Sequence, residues 1–346
     1  MENQKIPLTI LTGFLGSGKT TVLNRFLRDP RLTDTAVVVN EFGEIGLDHL
    51  LVESAPDQMV LMDNGCLCCS VRGDLVDTLT DLLARAEAGE VPQFSRVMVE
   101  TTGLADPAPI AQTLIREERL ADRFALKAIV TAVDGVNGIE TLESYDEARC
   151  QVAMADLLLV TKTDLAQARA KAVGQAARSL NGDAPLIEVA DGQIDPEILL
   201  GASQRPPSAA PVEHSHDHSH PHGPDHGHDH SHGHSHGHRH SDHTWNIQSA
   251  SIVLDTPLPW AVVSDWLDWL TAMRGADVLR IKGLLAIEGI DGPVLVQGVQ
   301  HVFSPPRILA EWPDDDHRSR IVLIARDIPE AALRRSLDVF SARAAA

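Results

Sequence analysis

Two groups of residues in this chain have types and spacings that can do chemistry. The first is Gly13-Phe14-Leu15-Gly16-Ser17-Gly18-Lys19-Thr20, which fits the phosphate-binding pattern GxxxxGK[ST]. Glycines at such positions let backbone N–H groups close around phosphate oxygens. Lys19 would reach the β- and γ-phosphates and the Thr20 hydroxyl would bind Mg²⁺. Gly13, Gly16, Ser17, Gly18 and Thr21 complete the nucleotide contacts expected here. The second group is Gly65-Cys66-Leu67-Cys68-Cys69, three cysteines within four residues. Thiolates suit a soft or borderline metal, and ligand preference ranks Zn²⁺ ahead of Cu(I) and Co²⁺. Adjacent cysteines make a strained local disulfide, so Cys66, Cys68 and Cys69 read as metal ligands on a glycine loop. A site with two or three protein ligands stays open, which suits transfer.

Further residues join these two groups. Arg96-Val97-Met98-Val99-Glu100-Thr101-Thr102-Gly103 is an apolar strand ending in a carboxylate. Such strand ends approach Mg²⁺ in phosphate-loop folds, so Glu100 pairs with Lys19 as a catalytic candidate. Gly103 could offer its N–H to a γ-phosphate. The next residue is Leu104, where signalling GTPases carry a water-orienting glutamine, so slow intrinsic hydrolysis is expected. Hydrolysis would then await metal, a partner or formation of a homo-oligomer. Thr161-Lys162-Thr163-Asp164 follows the apolar strand Leu157 to Val160. The Asp164 carboxylate can accept two hydrogen bonds from guanine, and the Lys162 stem can stack on the base. Thr161 completes that GTP-selecting pattern. Between the second and third strands, Glu41, Glu44 and Asp48 are candidate extra ligands for the metal or for Mg²⁺.

These residues need a scaffold. Ile6 to Leu11, Ala36 to Val39, Met59 to Met62, Val97 to Val99, Ala128 to Val133, Leu157 to Val160 and Leu186 to Val189 read as strands. Amphipathic stretches such as Thr20 to Leu27 and Leu75 to Ala86 alternate with them. That order predicts an α/β, doubly wound, mostly parallel sheet covered on both faces. Residues 1–204 form this nucleotide-binding unit. Residues 205–244 begin with Arg205-Pro206-Pro207 and hold fourteen of the chain's 17 histidines. The His, Ser, Gly and Asp tract from His214 to His243 has no apolar residues with which to bury a core, so the segment reads as a disordered, metal-binding linker. Imidazole titrates near about 6.5, so its side chains are mostly neutral ligands at neutral pH.

Residues 245–346 form a small α+β domain. Its strands are Ile247 to Leu254, Val278 to Ile287, Val294 to Phe303 and Arg320 to Ala325; its helices are Trp260 to Met273 and Pro329 to Phe340. All five tryptophans lie here and read as core and interface residues. The lone Cys150 reads as structural.

Composition bounds the rest. The formal net charge of −20 argues against nucleic acid or an anionic membrane as the main partner. No apolar run reaches the length of a membrane span, and no leader pattern precedes the first strand. With four cysteines, three of them clustered, a reducing cytoplasm is expected.

Taken together, Gly13 to Thr20, Gly65 to Cys69, Glu100 to Gly103 and Thr161 to Asp164 resemble the CobW family of P-loop GTPases. Leu279-Arg280-Ile281-Lys282-Gly283 and Gly298-Val299-Gln300-His301 look like that family's C-terminal domain. The resemblance implies a P-loop NTPase fold and a GTP-dependent metallochaperone serving a client metalloprotein, most often with zinc. Cobalt delivery for cobalamin synthesis or nitrile hydratase activation is the alternative within the class. A zinc buffer or sensor built on the histidine tract is the alternative outside it.

Overall fold

The computed structural model describes residues 5–32, 34–40, 59–61, 67–71, 75–202 and 246–344. The first unit runs β1 (Ile6–Gly13), α1 (Lys19–Phe26), β2 (Thr35–Asn40), β3 (Met59–Leu61), β4 (Leu67–Val71), α2 (Leu75–Glu87), β5 (Arg96–Thr101), α3 (Pro107–Arg116) and α4 (Glu118–Ala121). It continues through β6 (Phe124–Asp134), α5 (Gly138–Ser144), α6 (Asp146–Ala153), β7 (Leu157–Thr161), α7 (Gln167–Leu180), β8 (Leu186–Glu188) and α8 (Pro196–Gly201). Among the described residues its sheet has the order β3-β4-β2-β5-β1-β6-β7-β8, parallel except for the β3–β4 pair.

Side-chain alternation explains why this sheet is covered twice. Ile10, Val38, Val99 and Ile129 pack on one face with Leu79 and Leu82 of α2. Their strand neighbours Leu11, Val37, Met98 and Val130 pack on the other with Val22, Leu23 and Phe26 of α1. Both faces are apolar, so the strands read as continuous hydrophobic runs, as in buried parallel sheets. β1 sits between β5 and β6, and the chain winds away from it on both sides. Open α/β sheets bind ligands at the carboxyl ends of the strands at such a point. Gly13, Thr101 and Thr161 end three of these strands.

In the first unit one element departs from the sequence-based expectation. Cys68 and Cys69 lie on strand β4, where a glycine loop was expected. Cys68 stands opposite Val37 of β2 and Cys69 opposite Val38. The expected third strand, β3, is an antiparallel edge strand on β4.

The second unit comprises β9 (Ile247–Leu254), α9 (Trp260–Arg274), β10 (Val278–Leu285), β11 (Val294–Val299), β12 (Val302–Phe303), β13 (Arg307–Ile308), β14 (Ser319–Arg326) and α10 (Glu330–Ala344). Its antiparallel sheet has the order β12-β11-β10-β14-β9, with β13 also on β11. The single strand expected over Val294 to Phe303 is broken by a turn at Gln300, whose φ is 53°. One sheet face packs Ile252, Ile281, Val296 and Leu323 under α9 and α10. The other places Ile247, Leu279, Val299 and Ile324 in the same apolar cluster as Cys150, Ala153 and Met154 of the first unit. Of the tryptophans, Trp266 is the core residue. Trp260 and Trp269 are 37% and 40% exposed, and Trp245 lies outside the described residues. The histidine tract also lies outside them.

A buried ion cluster joins the two units. Arg280 and Lys282, on alternate positions of β10, both pair with Asp156, Lys282 at 3.0 Å. Lys282 also reaches Asp183 at 3.2 Å, and Arg280 Nη1 donates to the Met154 carbonyl at 2.7 Å. The second Asp156 oxygen accepts the Ile129 N–H at 2.9 Å. Removing one member of such a cluster strands buried charge. Asp156→Ala is therefore expected to lower the unfolding free energy by about 3–5 kcal/mol, read by denaturant titration. A loss below about 1 kcal/mol, the range of an exposed pair, would contradict the cluster's role.

Candidate functional site

The segment between β1 and α1 forms a tight loop. Gly13, Gly16 and Gly18 have φ of 141°, 71° and 86°. At Gly13 a side chain is impossible: a Cβ would lie 2.2 Å from the Ala132 carbonyl oxygen and 2.7 Å from Ser17 Oγ. The Ser17 N–H donates to the Phe14 carbonyl at 3.1 Å, closing the turn. Lys19 opens α1 yet is only 8% exposed. Its ammonium donates to the carbonyls of Gly13, at 2.9 Å, and Phe14, at 3.2 Å. The loop thus holds a cation at its centre, with the N-terminal end of α1 behind it, an arrangement suited to phosphate.

Glu100 reaches this loop because β5 pairs with β1, setting Glu100 beside Leu11. The two strands are also joined by Thr101 Oγ1, which donates to Thr12 Oγ1 at 2.8 Å. Glu100 is buried, and its Oε1 accepts the Thr20 hydroxyl at 2.7 Å. A hydroxyl and a carboxylate brought together are hard oxygen donors, a set that fits Mg²⁺. Gly103 follows two residues after the strand and lies directly on the phosphate loop. A Cβ there would sit 2.6 Å from Leu15 N, so only glycine allows this approach. Leu104 is 54% exposed.

Thr161 is buried at the end of β7, and its hydroxyl donates to the Ser17 carbonyl at 2.6 Å. It braces the phosphate loop, where sequence reasoning had assigned it a place in the base pattern. Lys162 adopts the left-handed backbone region, φ 56°, and its ammonium pairs with Asp134 at 2.7 Å. Burial pushes the Asp134 carboxyl up. Hydrogen bonds from Lys162 and from the Val136 and Asn137 N–H groups outweigh that and hold it below the usual carboxylate range. The pair anchors the far end of the Lys162 stem. Asp164 is exposed, and its Oδ1 accepts the Asp191 N–H at 3.0 Å. Asp191 belongs to a loop after β8 that abuts α1: a Cβ on the next residue, Gly192, would lie 2.9 Å from the Thr21 methyl.

The structure therefore gathers Gly13 to Thr20, Glu100, Gly103 and Thr161 at one sheet edge, with Lys162 and Asp164 on the loop beyond. Cys66, Glu41, Glu44 and Asp48 lie outside the described residues. No three His, Cys, Asp or Glu side chains among the described residues converge to hold a metal. Cys150 is buried on α6 with its thiol pushed up to about 12 by burial, so it stays protonated at neutral pH. Sequence reasoning missed Asp134 and Gln151. Asp134-Gly135 ends an apolar strand just as Glu100 does, and that signal could have found it. Gln151 carried none. No helix among the described residues is long and apolar enough to cross a membrane.

A parallel sheet with this loop, lysine and strand-end carboxylate at its switch point defines a P-loop nucleotide-binding protein. The chain belongs to the CobW/HypB/UreG family: the family's nucleotide-binding domain matches residues 7–188, and the cobalamin synthesis protein cobW C-terminal domain matches residues 247–341. It is 34% identical to the zinc chaperone YjiA of Escherichia coli over 334 residues, covering 95% of this chain and 96% of that one. It is 32% identical to the zinc chaperone CobW of Pseudomonas aeruginosa over 374 residues, covering 96% and 91%. The crystal structure of the Zn(II)-bound YjiA GTPase from E. coli aligns with a TM-score of 0.73 at 31% identity, covering 97% of this chain and 99% of that one.

Proposed function

We propose that this protein is a GTP-hydrolysing metallochaperone that binds Zn²⁺ at Cys66, Cys68 and Cys69 and passes it to a client under nucleotide control. One observation carries the coupling. Val38 of β2 stands opposite Cys69 on one side and Val99, next to Glu100, on the other. Two strand spacings, about 10 Å, therefore separate the backbone of the cysteine strand from that of the strand bearing the Mg²⁺ carboxylate. The names of relatives covering nearly the whole chain support zinc as cargo and GTP as fuel.

The chemistry follows from the residues. Loop amides and Lys19 would bind the phosphates, and Thr20 and Glu100 would hold Mg²⁺, which neutralises charge on the β- and γ-phosphate oxygens. Gly103, pressed against the loop, would present backbone to the γ-phosphate. Leu104 supplies no group to orient water, so the unstimulated rate is slow. Asp164 would read guanine, with Lys162 stacked on the base. Binding of zinc that differs between GTP and GDP states would make nucleotide affinity depend on zinc to the same degree.

The base assignment is tested by competition. Two hydrogen bonds to a charged carboxylate predict GTP favoured over ATP by about a hundredfold or more, and Asp164→Ala is expected to erase that preference. Equal turnover of ATP and GTP by the wild type would defeat the GTPase reading.

A further inference from the structure

We propose that Gln151 is a positioning residue for GTP hydrolysis, holding the backbone from Gly103 to Ala105 against the phosphate loop. This rests on the GTPase reading above. Gln151 is fully buried on α6, 48 residues along the chain from Gly103. Its Nε2 donates to the carbonyls of Gly103, at 3.1 Å, and Ala105, at 2.9 Å. Both partners are acceptors, so the orientation of the amide is unambiguous. These two carbonyls flank Leu104. Fixing them fixes two peptide planes, and with them the direction in which the Leu104 and Asp106 N–H groups point. The Ala105 N–H is engaged by the Thr102 carbonyl at 3.2 Å, which closes the turn.

Gly103 already sits on the backbone of Leu15 with no room for a Cβ. A segment in that position, held by one buried amide, is where a γ-phosphate would be sensed. The chain has a leucine where a side chain could orient water, so backbone placement has to do more of that task. Gln151 is suited to it because α6 is itself held at three points. At its start Tyr145 packs on Phe14 of the phosphate loop, ring centroids 4.5 Å apart. In its middle the Gln151 carbonyl accepts the Thr131 hydroxyl at 2.8 Å. Just past its end Arg280 of the second unit donates to the Met154 carbonyl. The same helix thus touches the phosphate loop, the Gly103 segment and the C-terminal sheet. The site is buried, so losing the amide leaves the two carbonyls without this donor or releases the segment.

The test is Gln151→Met in the full chain, which keeps the length and removes both donors. The expected result is a fall in kcat for GTP of about a hundredfold, the scale of a misplacement near an ångström. Affinities for fluorescent GTP and GDP analogues should stay within about threefold, since Lys19 and the loop amides are intact. Ser319→Ala is the control: it removes a buried hydroxyl of the second unit that accepts the Ala286 N–H at 2.9 Å, and it should lower melting temperature with kcat unchanged. Hydrogen exchange adds a readout independent of turnover, with the Leu104 and Ala105 amides exchanging faster in Gln151→Met than in either wild type or control. An unchanged kcat together with unchanged exchange overturns the proposal. So does a loss of kcat that tracks melting temperature equally in both variants, because the role would then be structural. A wild type that turns over no GTP defeats the GTPase reading instead, and is recognised without any variant.

Discussion

Lys19→Ala is expected to reduce GTP turnover about a thousandfold or more while leaving the protein folded. The ammonium is buried in the phosphate loop and donates to the Gly13 and Phe14 carbonyls at 2.9 and 3.2 Å. A γ-phosphate entering the loop brings negative charge to that point, and more charge develops on the oxygen that leaves. An ammonium held in place before the reaction costs no reorganisation when that charge appears. A thousandfold loss corresponds to about 4 kcal/mol of transition-state stabilisation. The fold should survive because the loop keeps its own closure, the Ser17 N–H on the Phe14 carbonyl and the Thr161 hydroxyl on the Ser17 carbonyl. Single-turnover hydrolysis and circular dichroism on the same sample separate the two effects. Unaltered hydrolysis in a folded variant would place the phosphates elsewhere.

Much of the candidate phosphate site was legible because its determinants are local. A strand, a glycine loop, Lys19, Thr20 and an amphipathic helix lie within about one supersecondary unit of sequence. Glu100 was legible for the same reason, as an acid ending an apolar run. The same signal stood at Asp134, which ends the apolar run of β6 as Glu100 ends that of β5. β4 was not legible. Leu67-Cys68-Cys69-Ser70-Val71 has two cysteines and a serine at its centre, and what makes it a strand is pairing with Val37 and Val38, some thirty residues away. Gln151 was invisible since a glutamine in a helix says nothing until folding brings Gly103 to it. In the C-terminal unit, the tryptophans read as core and interface residues without distinction; amphipathic placement on α9 buries Trp266 and leaves Trp260 and Trp269 more than a third exposed. The ion cluster on Arg280 and Lys282 was likewise hidden: two cations inside a strand become stable only once Asp156 and Asp183 arrive from the other unit.

Cys68→Ala is expected to weaken tight zinc binding by about a hundredfold or more and to abolish any effect of zinc on GTP turnover. At the proposed site, losing one of three thiolates would remove a metal–ligand bond formed only after the thiol gives up its proton, so the remaining pair would recover little of the affinity. Cys68 also has a structural position, opposite Val37 on one side and Val60 on the other. Alanine is a poorer strand residue than most, and the backbone pairing should absorb that at a cost of up to about 1 kcal/mol. Nucleotide affinity should therefore remain within about threefold, because the phosphate loop lies across β2 and β5 from this strand. The measurement is GTP hydrolysis with and without buffered zinc, in wild type and variant, with residues 213–243 deleted from both so that the histidines do not compete for metal. Reciprocity governs the binding step: if zinc no longer distinguishes the GTP and GDP states, nucleotide affinity no longer depends on zinc either. Zinc stimulation or inhibition that persists unchanged in Cys68→Ala would show that the ion acts at another position, such as the oxygen donors Thr20 and Glu100. The cysteine strand would then have no part in the switch, and its two-strand separation from Glu100 would be a feature of the fold alone.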